Sequence, residues 1–178
     1  MKNESLKLIG TGAFTKAYRD QKNKNRVILH SVCPIKEAFS EGYVSDHRMF
    51  PKIEKIDSID SVKHGYMNVY EMPYYKKNNS IKNNLTARQY RLYRALREVY
   101  AKNYKFGNFG NGIYDAFREM PSEFRLEKEA LIETLDQIRN FTDFPFFEIS
   151  PRNIATKGKK LILLDVFFCC KKLKQVIG

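Results

Sequence analysis

Near one end of the chain, three oxygen-bearing side chains occur in a fixed order at short spacings. Glu148 precedes Asn153 by five positions, and Asp165 follows Asn153 by twelve. One carboxylate can orient or deprotonate an acceptor hydroxyl, while an amide oxygen and a second carboxylate can hold magnesium against phosphate groups. The pattern predicts Glu148, Asn153 and Asp165 as catalytic residues, with Asn153 and Asp165 as metal ligands. Taken singly, each residue also suits a turn, a strand end or a surface position.

A glycine-rich segment near the other end could cover the phosphates of a nucleotide. Its residues are Gly10, Thr11, Gly12, Ala13 and Phe14, between two strand-like segments. A dinucleotide fingerprint needs a helix after its glycines, so that the helix N-terminus meets the pyrophosphate. A strand is predicted here instead, which favours a hairpin whose small residues let the backbone lie close over phosphates. A tight turn that requires positive φ is the alternative explanation.

The elements that would carry this hairpin are strand-like segments in the first part of the chain. They are residues 6–9, 26–29, 53–59 and 66–70. Pro34 and Pro51 delimit a stretch between the second and third of these segments. Within it, Ile35, Phe39 and Tyr43 recur at helical spacing, which predicts a helix of about four turns. We therefore expect an antiparallel sheet with one helix.

Two long helices and a strand-like end are predicted for the second half. Apolar residues recur at helical spacing in residues 85–104 and in residues 122–140. The apolar positions are Leu85, Leu92, Leu96 and Val99 in the first helix, and Phe124, Leu131, Leu135 and Ile138 in the second. Because a polar connector at residues 76–80 follows Pro73, we predict one lobe at residues 1–73 and another at residues 74–178.

Several segments carry a resemblance to a known family. They read LIGTGAFTKAY, NRVIL, KEAFSEGYVSDHRMFPKI and FFEISPRNIATKGKKLILLDVFF. They resemble the small, divergent protein-kinase-like proteins of bacteria and phages, particularly the early serine/threonine kinases of short-tailed phages. The resemblance implies an α+β, compact two-lobed protein-kinase-like fold with an N-terminal antiparallel sheet and ATP and magnesium in its cleft. It also implies a hinge at residues 70–73, where the backbones of Glu71 and Met72 would meet adenine; an ordinary strand end is the alternative.

The chain departs from the family's pattern at the phosphate-binding lysine. The usual V-A-I-K lysine has no counterpart in residues 27–30, where one register places His30 at that position and another places Leu29 there. His30 is kept as a nucleotide-binding candidate, although its ordinary pKa leaves it largely neutral at pH 7. Lys16 and Lys36 are alternative cations, and a solvated surface role is the competing interpretation of each.

The catalytic segment departs from the pattern as well. Glu148 replaces an aspartate, and a misplacement of about 1 Å can cost roughly a hundredfold in rate. Phe146 stands where a histidine would precede it, and Asp165-Val166-Phe167 lacks the glycine of D-F-G. Thirteen residues follow Asp165, which predicts a truncated helical C-lobe without the usual activation segment.

The chain is strongly basic, with 32 Lys plus Arg against 20 Asp plus Glu and a formal net charge of +12. Such a surplus attracts polyanions. One predicted helix carries arginines at every third position, namely Arg88, Arg91, Arg94 and Arg97, with tyrosines interleaved. This pattern suits nucleic acid or an acidic protein surface, by phosphate pairing plus stacking. A solvated helix face with inward tyrosines is the alternative.

Two main functions follow from these features. The first is a kinase that transfers the ATP γ-phosphoryl group to a protein serine or threonine hydroxyl, as a phage factor modifying host proteins. The second is a pseudokinase that inhibits an acidic host protein or nucleic acid through its basic surface. The missing lysine favours the second, whereas Asn153 and Asp165 favour nucleotide chemistry. A small nucleic-acid-binding domain without kinase ancestry is a third hypothesis.

Composition excludes several other classes. No apolar run approaches the roughly 18 residues of a membrane span, and the first apolar stretch is too short for a signal peptide. We therefore expect a soluble, cytoplasmic protein, in the bacterial host's cytoplasm if it is phage-encoded. The three cysteines cannot form a disulfide scaffold, and no C-x-x-C or H-x-x-x-H spacing supports zinc.

Overall fold

A computed structural model gives the structure of the chain and describes residues 5–62, 64–75, 80–106, 111–142 and 145–169. Within these ranges an N-terminal antiparallel sheet precedes a mainly helical part, which is followed by short hairpin-like ladders. The predicted α+β class with its N-terminal antiparallel sheet is confirmed. Residues 76–79 of the predicted connector lie outside the described ranges.

The N-terminal sheet has five strands in the order β1-β2-β3-β5-β4. The strands are β1 Leu6–Thr11, β2 Thr15–Asp20, β3 Arg26–Ser31, β4 Glu54–Ser61 and β5 Gly65–Pro73. Asp20 makes the turn before β3, because its carboxylate accepts hydrogen bonds from the main-chain N–H groups of Lys22 and Asn23. Gly65 has a φ of 69° in the β4–β5 turn, a conformation that favours glycine. The sheet therefore forms from local turns plus one longer crossover.

The helix in that crossover, α1, spans only Pro34–Ser40. The prediction of a four-turn helix is wrong in its length. Gly42 has a φ of 74° just beyond the C-cap residue Glu41, and such a left-handed residue ends a helix. Met49 and Phe50, in the irregular segment that follows, are buried in the main core.

The helical part contains the predicted long helices and two shorter ones. They are α2 Ile81–Asn84, α3 Ala87–Phe106, α4 Asn111–Arg118 and α5 Arg125–Ile138, with a 3-10 turn at Ser122–Phe124 before α5. All eight apolar positions predicted from helical spacing are buried, namely Leu85, Leu92, Leu96, Val99, Phe124, Leu131, Leu135 and Ile138. In the described ranges, no helix combines the length and apolar character needed to cross a membrane.

The last described segment forms two short antiparallel ladders. Strand β6 Pro145–Phe147 pairs with β9 Phe167–Cys169, and β7 Ile154–Lys157 pairs with β8 Lys160–Leu163. Gly158 and Lys159 have φ values of 55° and 61° in the tight turn between β7 and β8. The two ladders hold residues 148–153 and 164–166 as adjacent loops.

Candidate active site

A cavity of about 570 Å³ lies between the N-terminal sheet and the two loops of the last segment. Its walls come from the β1–β2 hairpin, from β3 and the end of β5, and from residues 148–155 and 164–168. Residues far apart in sequence therefore meet in one cleft.

The glycine-rich hairpin covers one side of the cleft. Gly10, Thr11, Gly12, Ala13 and Phe14 all line it. Neither Gly10 nor Gly12 has a positive φ. A Cβ atom at Gly10 would lie 3.9 Å from Ala17 Cβ, and one at Gly12 would lie 3.7 Å from the Thr15 carbonyl oxygen, both ordinary contact distances. The turn explanation that requires positive φ therefore does not apply to these glycines.

Strand β3 presents apolar side chains to the cleft. Val27 and Leu29 line it, and since side chains alternate along a strand, His30 lies on the other side of the sheet. There its ring centroid is 4.8 Å from that of Tyr18, and burial together with the charge of Lys16 lowers the His30 pKa. Leu29, and not His30, therefore occupies the cleft-facing position in β3. The structure does not bring His30 into the cleft.

The predicted catalytic residues meet at the opposite side of the cleft. Glu148, Asn153 and Asp165 all line it. The N–H of Glu148 donates to the carbonyl of Val166 at 2.8 Å, and the N–H of Leu164 donates to the carbonyl of Asn153 at 2.8 Å. Main-chain hydrogen bonds therefore hold the two loops side by side, and the three residues line one space.

A lysine that faces the same space comes from α1. The ammonium of Lys36 donates to Asp165 Oδ1 at 2.8 Å and to the carbonyl of Leu164 at 3.2 Å. The Lys36 side chain is 7% exposed and the Asp165 side chain is 52% exposed. The sequence indicated Lys36 only as one of two alternative cations. The absence of a lysine from β3 is the sequence signal that another cation is needed. That Lys36 is buried can be seen only in the structure.

Lys16, the other alternative cation, is exposed on β2 opposite His30. Its neighbours Thr15 and Ala17 line the cleft, but Lys16 does not. Alternation along β2 therefore directs Lys16 away from the cleft. Of the two candidates, only Lys36 reaches it.

The end of β5 reaches the cleft through Met72, which lies opposite Val27 in the β3–β5 ladder. Two pairs farther on, beyond Arg26 and Pro73, the N–H of Tyr74 donates to the carbonyl of Asn25 at 2.7 Å. Since bonded and non-bonded pairs alternate in an antiparallel ladder, Met72 exchanges its main-chain hydrogen bonds with Val27. The main-chain N–H and carbonyl groups of Met72 are therefore already used in hydrogen bonds within the sheet.

Glu71 is not a cleft residue. It lies between Ile28 of β3 and Glu54 of β4, and its carboxylate pairs with Arg26 Nη1 at 3.0 Å. Contact of adenine with Glu71 and Met72 stays a prediction. Just beyond β5, Tyr74 and Tyr75 line the cleft.

Cys33, Arg152 and Phe168 are among the cleft residues that the sequence did not indicate. Cys33 is buried at the N-cap of α1, and burial raises the pKa of its thiol. Arg152 and Phe168 also line the cleft, and Arg152 is exposed. Both lie in the last segment that carries the family resemblance, but their position in the fold, and not their residue types, identifies them as cleft residues.

The oxygen donors in the cleft fit magnesium bound together with phosphates. Asn153 and Asp165 offer an amide oxygen and a carboxylate, and Mg²⁺ in nucleotide sites typically takes one or two protein carboxylates plus phosphates and waters. No group of three or more His, Cys, Asp or Glu side chains able to hold a metal occurs in the described ranges. The donor set therefore fits a cation that arrives with a nucleotide.

The arginine face of α3 is largely engaged within the protein. Arg88 forms two hydrogen bonds to Glu127, at 2.6 and 2.9 Å, and Arg91 pairs with Glu123 at 2.8 Å. Arg97 Nη1 donates to the carbonyl of Ile149, next to Glu148, at 2.9 Å. Two of the four predicted charges are thus neutralised by carboxylates, which weakens this face as a polyanion surface. Binding of nucleic acid or an acidic protein there stays a prediction.

Neither the models of protein families nor the curated protein sequences match this chain. Solved structures similar to it include two ternary complexes of a thermostable mutant of aminoglycoside phosphotransferase APH(4)-Ia, one with ADP and hygromycin B and one with AMP-PNP and hygromycin B. Each has a TM-score of 0.39 and 8% identity and covers 92% of this chain and 68% of that one. The gentamicin–APH(2″)-IIa complex has a TM-score of 0.36 and 14% identity, with 92% and 65% covered. At TM-scores this low, the likeness carries no argument about function.

Proposed function

We propose that the protein is a kinase-like phosphotransferase that moves the γ-phosphoryl group of ATP to the hydroxyl group of a protein serine or threonine. The observation that carries this proposal is the meeting of the glycine-rich hairpin with Glu148, Asn153 and Asp165 across one cleft. Chance placement on a surface would not direct all of them into the same cavity.

The cleft offers separate places for the base and the phosphates. Val27, Leu29 and Met72 form an apolar wall for adenine, and Tyr74 and Tyr75 also line the cleft. The backbone around Gly10 and Gly12 would lie over the phosphates. Since neither the local conformation nor neighbouring atoms require glycine there, close approach of a phosphate supplies the reason for these two residues.

Each polar side chain then has a role in the transfer. Asn153 and Asp165 would hold magnesium, which supplies neutralisation of the phosphate charge when bound. Glu148 accepts a hydrogen bond from the acceptor hydroxyl and takes its proton as the acceptor oxygen bonds to the γ-phosphorus and the bond to the β-phosphate oxygen breaks. The products are the phosphorylated hydroxyl and ADP.

The test is nucleotide binding followed by transfer. ATP with Mg²⁺ should raise the melting temperature of the wild type, because a ligand that binds only the folded state stabilises it. Asp165→Ala and Asn153→Ala should each abolish the part of this shift that depends on Mg²⁺. Incubation with ATP and a mixture of serine- and threonine-containing peptides should give phosphorylated peptide by mass spectrometry. Absence of any thermal shift with ATP would reject the nucleotide site and the function with it.

The pseudokinase hypothesis predicts a different outcome. It requires binding through the arginine face, where Arg88 and Arg91 are already paired. Nucleotide binding without phosphorylated product in any acceptor mixture would favour it. Weakened binding of single-stranded DNA or polyglutamate in Arg91→Glu/Arg94→Glu, with less salt dependence, would then locate the partner surface.

A further inference from the structure

The ion pair between Lys36 and Asp165 joins a buried cation to a carboxylate at the edge of the cleft. The Lys36 side chain is 7% exposed, whereas the Asp165 side chain is 52% exposed. A buried ammonium is costly unless it is paired and hydrogen-bonded. Lys36 meets this requirement with Asp165 Oδ1 at 2.8 Å and the Leu164 carbonyl at 3.2 Å. The fold therefore fixes a positive charge against the carboxylate proposed to face the nucleotide.

This arrangement leaves both partners with unused capacity. An ammonium has three N–H donors, and two of those of Lys36 are used within the protein. A carboxylate has two oxygens, and the pair involves Oδ1 of Asp165. One donor of Lys36 and one oxygen of Asp165 thus remain for a ligand in the cleft.

Leu29 takes the position in β3 from which a lysine would reach the cleft, so the cation comes from a helix instead. Leu29 occupies the cleft-facing position of β3 and is buried, so β3 supplies no charge to the cleft. Cys33 is the N-cap residue of α1 and lines the cleft, and Lys36 lies in the first turn after it. The first turn of α1 therefore delivers the charge that β3 lacks.

Charge balance decides how a nucleotide would respond to magnesium. In a site where only a metal neutralises the carboxylate, an ATP molecule without metal meets uncompensated like charge. Here Lys36 neutralises Asp165 from inside the protein, and Arg152 adds a second positive charge to the cleft, opposite in sign to Glu148. Among the described cleft residues, the formal charges of Lys36, Arg152, Asp165 and Glu148 sum to zero before any metal is bound.

We propose that Lys36 is a built-in counter-cation of the nucleotide site, so that ATP binds without Mg²⁺ and the metal serves the transfer step. This inference rests on the proposed function, since it concerns the same cleft. The inference attributes the affinity for ATP without Mg²⁺ to the Lys36 side chain. Measurements of ATP binding alone can therefore test it.

The experiment measures the Kd of ATP by competition with a fluorescent ATP analogue, in EDTA and in Mg²⁺. Wild type should bind in EDTA within about threefold of its affinity in Mg²⁺, whereas Lys36→Met should lose roughly tenfold or more of its affinity in EDTA and retain binding in Mg²⁺. Lys36→Arg should keep most of the metal-free affinity because it keeps the charge. Lys102→Met is the matched control, since Lys102 is an exposed lysine of α3 whose ammonium pairs with Glu119 at 3.0 Å, and it should change neither Kd.

A second variant protects the test against misfolding. Lys36→Met leaves Asp165 without its cation, whereas Lys36→Met/Asp165→Asn removes both charges and should fold even if the single variant does not. The double variant should recover metal-free binding, because the repulsive carboxylate is gone, and it should lose the response to Mg²⁺. Failure of the double variant to bind ATP better than Lys36→Met in EDTA would overturn the inference.

The outcomes separate this inference from the proposed function. Wild-type binding only in the presence of Mg²⁺ would reject the counter-cation role and leave the phosphotransferase proposal intact. No ATP binding under either condition would reject the nucleotide site itself. Equal loss of metal-free affinity in Lys36→Met and Lys102→Met would show a general charge effect and would also overturn the inference.

Discussion

The main-chain N–H of Asp165 donates to the carbonyl oxygen of Asn153 at 3.3 Å, and the same oxygen accepts the N–H of Leu164 at 2.8 Å. These bonds involve no side-chain atoms. The loops that carry the two proposed metal ligands are therefore held together by the backbone. Substitution of Asn153 should therefore leave the loops in place and report on ligand binding, whereas substitution of Asp165 also removes the partner of the buried Lys36 ammonium.

Glu148→Gln should separate nucleotide binding from transfer. The amide cannot accept the proton of the acceptor hydroxyl, and Glu148 is not proposed to hold the metal. The variant should therefore bind ATP with Mg²⁺ as the wild type does and lose phosphorylated product by about a hundredfold or more. Competition binding and mass spectrometry of acceptor peptides measure the two quantities. Product formation at the wild-type rate would show that Glu148 is not the general base. It would not contradict the proposed nucleotide site.

Local patterns allowed part of this cleft to be predicted from the sequence. The glycine-rich hairpin is a short segment, and Glu148 and Asn153 are only five positions apart. The structure of both regions is set by turns and strand ends close to them in the chain. Helical spacing likewise identified Leu92 and Leu131 as buried positions. Such features can be predicted because the residues that define them are close together in the chain.

The remaining features depend on long-range contacts or on one residue's backbone. Lys36 is a cleft residue only because α1 packs near a loop 129 positions away. The early end of α1 follows from the left-handed conformation of Gly42, which the apolar pattern through Tyr43 does not reveal. The main-chain hydrogen bonds of Met72 to β3 follow from the strand register, and composition does not determine register.

Gly12→Ala should weaken nucleotide binding without weakening the fold. The added Cβ would lie 3.7 Å from the nearest atom, and the backbone does not have positive φ there. The free energy of unfolding should therefore be unchanged or rise by about 0.5 kcal/mol. ATP affinity should fall, because the methyl group occupies space proposed for a phosphate. Urea unfolding and competition binding measure the two effects.

Gly65→Ala is the matched control for this prediction. Gly65 has a φ of 69° in the β4–β5 turn, and it does not line the cleft. Alanine there should lower the free energy of unfolding by about 1 kcal/mol and leave ATP affinity unchanged. If Gly12→Ala behaves like Gly65→Ala, Gly12 serves the turn and not a ligand.

Arg97 should act as a positioning residue for the loop that carries Glu148. Its guanidinium donates to the carbonyl of Ile149 at 2.9 Å, and Ile149 is fully buried. Arg97→Ala should lower kcat about tenfold through misplacement of Glu148 and leave the KM for ATP unchanged. Arg97→Lys should restore part of kcat. Arg94→Ala, at an exposed position on the same helix, should have no effect, and a decrease in kcat as large as that of Arg97→Ala would contradict the assignment.

Arg88→Ala should destabilise the helical part because it leaves a buried carboxylate unpaired. The Glu127 side chain is 3% exposed and accepts both of its guanidinium hydrogen bonds from Arg88. Removal of one partner from such a pair costs about 3 kcal/mol. Arg91→Ala breaks an exposed pair with Glu123 and should cost about 0.5 kcal/mol. Urea unfolding at pH 7 compares the two variants, and equal losses would show that burial of Glu127 does not set the cost.

Arg88→Ala should also reverse the sign of the contribution that Glu127 makes to the pH dependence of the free energy of unfolding. In the wild type, burial acts to raise the pKa of Glu127, but the hydrogen bonds and charge of Arg88, a backbone hydrogen bond and the charge of His47 together outweigh it and hold the pKa below its ordinary value. The stabilisation is therefore present above the ordinary glutamate pKa and is lost as pH falls through the lowered one. In Arg88→Ala, burial acts without that partner and should raise the pKa, so protonation favours the folded state. The stability deficit of Arg88→Ala relative to wild type should therefore shrink as pH falls from 7 towards 4. A deficit that stays constant over this range would show that Glu127 keeps a second compensating partner.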